Sequence, residues 1–82
     1  LTNRELELIR CLVAQAIGFP PDDITYISVP GGDILCLIDD YKGYNLAVGF
    51  DFIPTLEEIK VYVEKLCLLA SEADQEGYYP FI

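Results

Sequence analysis

The stretch Asp33-Ile-Leu-Cys-Leu-Ile-Asp-Asp-Tyr-Lys-Gly-Tyr-Asn-Leu-Ala-Val-Gly-Phe-Asp51 carries the fold. It holds two short runs rich in β-branched, aliphatic and aromatic residues, Asp33 to Asp40 and Tyr44 to Asp51, joined by turn chemistry. Asp40-Tyr41-Lys42-Gly43-Tyr44 suits a type I turn with Gly43 as the left-handed residue of a bulge. That loop sets a register pairing Ile38 with Leu46, Cys36 with Val48 and Ile34 with Phe50, so the large apolar residues of the last strand all face one way. An even-numbered loop would divide them between the two faces.

Upstream, Ile24 to Pro30 reads as another strand. Gly31-Gly32 is expected to close the hairpin as a two-residue loop, since both glycines tolerate φ > 0. Ile27 and Val29 then join the core side, and Tyr26 and Ser28 take the other. Helices flank this meander. Thr2-x-x-Glu5 is a capping box ahead of a helix over about Asn3 to Ile17, with Leu6, Ile9, Leu12, Val13, Ala16 and Ile17 on one face and Gly18 at its end. Cys11 falls on its polar side with Arg4, Glu7, Ala14 and Gln15, and reads as an inert surface thiol. Thr55-x-x-Glu58 opens a second helix to about Asp74, with Leu56, Ile59, Val63, Leu66, Cys67, Ala70 and Ala73 inward and Gly77 beyond.

The expected fold is therefore α+β in the order α-β-β-β-α, a three-stranded antiparallel meander with both helices on one face. Residues 1–77 read as one domain and residues 78–82 as an aromatic C-terminal tail. At 82 residues the chain has room for one thin core, burying only about 60–65% of the surface of its unfolded form. A 52% hydrophobic fraction excludes an intrinsically disordered chain, and no apolar run approaches the ~18 residues of a membrane span. A chain that begins at Leu1 and contains no Met reads as one that has lost an initiator residue or was cut from something longer.

Five Lys and Arg against 14 Asp and Glu give a net charge of −9, which works against direct binding to nucleic acid or an anionic membrane. The absence of His removes the commonest general base and transition-metal ligand, so Ser-His-Asp and Cys-His hydrolases are excluded. Cys11, Cys36 and Cys67 are odd in number and include no C-x-x-C pair, which points to reduced thiols in a cytoplasmic setting. There is no phosphate-binding glycine loop, and no signal peptide is visible in these 82 residues. No cofactor is expected, and the chain does not read as an enzyme.

What remains is surface. The expected open sheet face carries Tyr26, Leu35 and Leu37, the outer side of the second helix carries Val61 and Leu68, and the tail adds Tyr78, Tyr79 and Phe81. These are the candidate apolar contacts, for a partner, a second copy or the chain's own tail. Every strand end carries acid: Asp22, Asp23, Asp39 and Asp40 gather at one end of the sheet, and Asp33, Asp51, Glu57 and Glu58 at the other. The first four are the candidate acidic contacts. Together these features point to a small acidic protein-binding domain, an inhibitor or regulator of a protein with a basic surface, presenting carboxylates where that surface takes nucleic acid. The alternative is a homo-oligomeric assembly subunit, such as a homodimer. A third reading is a metal-dependent hydrolase built on the strand-end aspartates, against which stands the lack of any contiguous cation-binding loop.

Overall fold

The computed structural model describes residues 2–31, 33–73 and 78–79. The order is α1 (Asn3–Ile17), a 3-10 turn (Pro21–Asp23), β1 (Ile24–Ser28), β2 (Ile34–Tyr41), β3 (Tyr44–Phe50), α2 (Leu56–Ala73) and β4 (Tyr78–Tyr79). Strands β1, β2 and β3 form the antiparallel meander, and β4 lies parallel beside β3.

Both capping boxes form. In α1 the Thr2 hydroxyl accepts the Glu5 N–H at 3.2 Å, and the Glu5 carboxylate accepts the Thr2 N–H at 2.9 Å. In α2 the same exchange joins Thr55 and Glu58 at 3.1 and 3.0 Å. Gly18, at φ +77°, ends α1 in the left-handed conformation that glycine adopts without a Cβ penalty. Ala14 was expected among the polar residues of α1 and is instead buried. Both β1 and α2 pack on this helix, so its buried arc is wider than a single stripe. On α2 the residues Ile59, Val63, Leu66, Cys67 and Ala70 are buried and Leu56 is half-buried. The Ala73 side chain and Gly77 lie outside the described residues.

The pairing of β2 with β3 follows the expected register, with Ile34 opposite Phe50, Cys36 opposite Val48 and Ile38 opposite Leu46. All six are at most 2% exposed. They meet Ile9 and Val13 of α1 and Ile59 and Val63 of α2 in one core, so both helices cover the same sheet face. Each such aliphatic removed from water contributes about 1.5–3 kcal/mol. The extra residue that sets this register lies elsewhere than expected. Lys42 and Gly43 form a two-residue turn with φ +53° and +87°, as a type I′ hairpin requires, and Tyr41 pairs with Tyr44. The bulge sits at Asp39-Asp40, where Asp40 has φ +59° and donates its N–H to the Asn45 side chain at 3.1 Å. Tyr41 and Lys42 also tie this hairpin to α2. The Tyr41 hydroxyl donates to Glu64 at 2.7 Å, and the Lys42 ammonium donates to the same carboxylate at 3.2 Å.

Strand β1 corrects the expectation by one residue. Val29 donates its N–H to the Asp33 carbonyl at 3.0 Å, so the loop holds residues 30–32 rather than Gly31-Gly32 alone. Ile24 therefore pairs with Ile38, Tyr26 with Cys36 and Ser28 with Ile34. A one-residue slip exchanges the faces of a strand. Ile24 is buried and Tyr26 packs partly against the core, whereas Ile27 is 47% exposed on the open face, opposite Leu35. Tyr26 is thus not an open-face residue, and Ile27 is not a core residue.

The tail also takes a definite place at Tyr78–Tyr79. An 18-residue helix is about 27 Å long, roughly the length of β3. Helix α2 leaves the end of β3 and returns the chain to the start of that strand, so a parallel pair is the geometry available. Tyr78 pairs with Asn45 and Tyr79 with Leu46, which puts these two residues in the sheet rather than across its open face. Phe81 lies outside the described residues.

Candidate binding groove between β3 and α2

Strand β3 ends at Phe50 with its ring in the core, and the chain then needs Asp51 to Pro54 to reach the Thr55 cap of α2. Pro54 is buried, but Phe52 and Ile53 are each 41% exposed. Tyr62 stands on α2 between the inward residues Ile59, Val63 and Leu66, and is 39% exposed. Phe52 meets Phe50 edge to face with ring centroids 6.1 Å apart, and Tyr62 meets Phe50 at 5.9 Å. These are favourable aromatic separations, so one buried ring fixes two exposed ones.

Between them lies a groove of about 200 Å³. Val48, Gly49, Phe50 and Phe52 form its sheet side, and Tyr62, Lys65 and Leu66 its helix side, with Asp33 and Asp51 completing the lining. Tyr62 also borders a shallow apolar depression with Val61, Glu57 and Glu58. The surface thus has an aromatic centre and four nearby carboxylates, against the single cation Lys65 in the lining. Glu58 is committed in part, because its carboxylate accepts the Thr55 N–H.

The expected acidic contacts lie at the opposite end of the sheet. Pairing of Ile24 with Ile38 brings Asp22 and Asp23 to the same end as Asp39 and Asp40, and all four are exposed. Arg10 enters this end: it donates to the Pro21 carbonyl at 2.8 Å, pairs with Glu7 and lies 3.9 Å from the Asp22 carboxylate. Among the described residues, no group of three or more Cys, Asp or Glu is arranged to hold a metal ion.

The apolar expectations are scattered. Leu35 and Leu37 are half-buried on the open face, joined there by Ile27. Val61 and Leu68 are 61% and 60% exposed on α2, and Val61 alone of the two borders the depression beside the groove. Tyr78 and Tyr79 contribute backbone to β4. Phe52, Tyr62 and Lys65 were missed as site residues. Only Phe52 left a signal, and a faint one: Phe52-Ile53 is an apolar pair just ahead of Pro54 and the Thr55 cap, where a connection is ordinarily polar.

Cys11 is half-buried, and Cys36 and Cys67 are buried. All three are free, and Cys36 is fully enclosed, its thiol pushed up to about 12 by burial. Comparison with protein-family models, curated proteins and solved structures finds no match to this chain. Among the described residues no helix is long and apolar enough to cross a membrane.

Proposed function

We propose that this chain is a small acidic protein-binding domain, acting as an inhibitor or regulator of a protein with a basic surface. The observation that supports it is the aromatic groove: Phe52 and Tyr62 remain about two-fifths exposed around a formed concavity, with Asp33 and Asp51 in its lining. Large aromatics packed against a buried ring, as both are on Phe50, are suited to anchor interfaces, and surrounding carboxylates steer and select a cationic partner. The net charge of −9 extends that attraction beyond contact distance.

The test is capture from a cell lysate on immobilised protein, with the Phe52→Ser/Tyr62→Ser double variant alongside at low and high salt. The reading expects a partner held by the wild type at low salt, released at high salt and not held by the variant, whose melting curve confirms that it folds. Retention that is equal on both proteins, or indifferent to salt, overturns it.

A second reading, self-assembly into a homo-oligomer, is favoured by a different surface. Ile27, Leu35 and Leu37 lie on the sheet face away from both helices, with Ile27 opposite Leu35. Two copies packed through that face would bury it.

A further inference from the structure

We infer that the groove between β3 and α2 receives one aromatic side chain of a partner segment whose flanking residues are Lys and Arg. This rests on the protein-binding reading and names the chemistry of the partner.

Size limits the occupant first. Pockets for drug-sized ligands run to about 300–1,000 Å³, whereas a cavity of about 150 Å³ holds benzene. A groove of about 200 Å³ is matched to a single phenyl or phenol ring. Its walls suit such a ring, since Phe50, Phe52 and Tyr62 already pack by tilted and edge-to-face contacts that a further aromatic can extend.

Charge limits what stands beside the anchor. Asp33 and Asp51 are in the lining, and Glu57 and Glu58 border the depression on the other side of Tyr62. An acidic segment would meet these carboxylates with repulsion, and a basic one finds counter-charges on both sides of the ring. Lys65 is the one cation of the lining, and its ammonium has three N–H donors to offer backbone carbonyls of the segment.

The test titrates the isotopically labelled full chain with three capped peptides: Arg-Lys-Phe-Lys-Arg, Arg-Lys-Ala-Lys-Arg and Glu-Glu-Phe-Glu-Glu. Amide shifts at Gly49, Phe50, Phe52 and Tyr62 are expected to saturate with the first peptide. Replacing its Phe by Ala is expected to weaken binding by about 10-fold or more, the loss that goes with burying one aromatic ring. Raising the salt to 0.5 M, or replacing Asp33 and Asp51 together by Asn, is expected to weaken it several-fold (roughly 3–10-fold) while the variant keeps its melting temperature.

Equal affinity for the Phe and Ala peptides, binding of the acidic peptide, or shifts confined to the Asp22 and Asp39 end each overturn the inference. So do two results in the peptide-free protein. Cross-peaks from the Phe81 ring to the Val48 and Leu66 methyl groups would make the chain's own tail the occupant. Shifts of the same amides that change with protein concentration would make it a second copy. If the peptides fail but capture still depends on Phe52 and Tyr62, the protein-binding function stands and the partner is of another kind.

Discussion

Cys36 shows how one residue's surroundings set a measurable property. It sits between Ile34 and Ile38 on β2, faces Val48 across the ladder and has no exposed surface. Desolvation disfavours the thiolate, and the thiol is pushed from 9.0 to about 12. The unfolded chain loses this proton above about pH 9 while the folded chain keeps it, so alkali favours unfolding. The contribution is fully present below pH 9 and is lost as the pH rises toward 12, at about 1.4 kcal/mol per pH unit for one proton. Urea denaturation at pH 8 to 11 should show the wild type losing stability faster than Cys36→Ala from pH 9 upward. Tyr41 is also raised, by burial first and by its hydrogen bond to Glu64, from the higher starting value of 10.0. Cys36→Ala should therefore flatten the slope just above pH 9 and retain one above pH 10. Parallel slopes in the two proteins would refute the assignment. Three odd cysteines could be read as free thiols from the chain, but which of them the core would enclose depended on the strand register.

Registers were legible to different degrees in the two hairpins. In β3 the large apolar residues Leu46, Val48 and Phe50 share one parity while Ala47 and Gly49 are small, so one pairing with β2 buries them all. In β1 the apolar residues occupy both parities, Ile24 and Tyr26 on one and Ile27 and Val29 on the other. Alternation could not choose, and a single loop residue did. Pro30 has no N–H to give to a ladder and falls in the loop, leaving Val29 and Asp33 to close the hairpin. The selected parity seals Ile24 beneath the helices at 2% exposure and leaves Ile27 out. Ile24→Ala should cost about 2–4 kcal/mol and Ile27→Ala less than about 1 kcal/mol, compared by chemical denaturation. The reverse order would restore the two-residue loop.

For the whole molecule, the distribution of charge and apolar surface yields a choice between the two functional readings. Four acids at one end of the sheet share it with Arg10, while those at the other end border an aromatic groove. If the groove serves a foreign partner, light scattering at micromolar concentration should give the 9.2 kDa monomer at both low and high salt. A dimer that strengthens with salt, as charge repulsion is screened, would favour pairing through Ile27, Leu35 and Leu37. Leu35→Ser/Leu37→Ser would then return it to monomer.

Short-range chemistry written into the chain was enough for both helices, their caps, the strand order and the pairing of β2 with β3. These depend on neighbours a few residues apart and on an apolar pattern with one solution. The same reading placed acid at both ends of the sheet, because strand ends follow from strand order. The groove was not available at that range. Phe50, Phe52 and Tyr62 become one surface only when α2 folds back along β3, and their residual exposure is set by how closely helix and strand approach. The pairing of Tyr78 and Tyr79 with β3 was decided in the same way, by packing between elements that local preference leaves free.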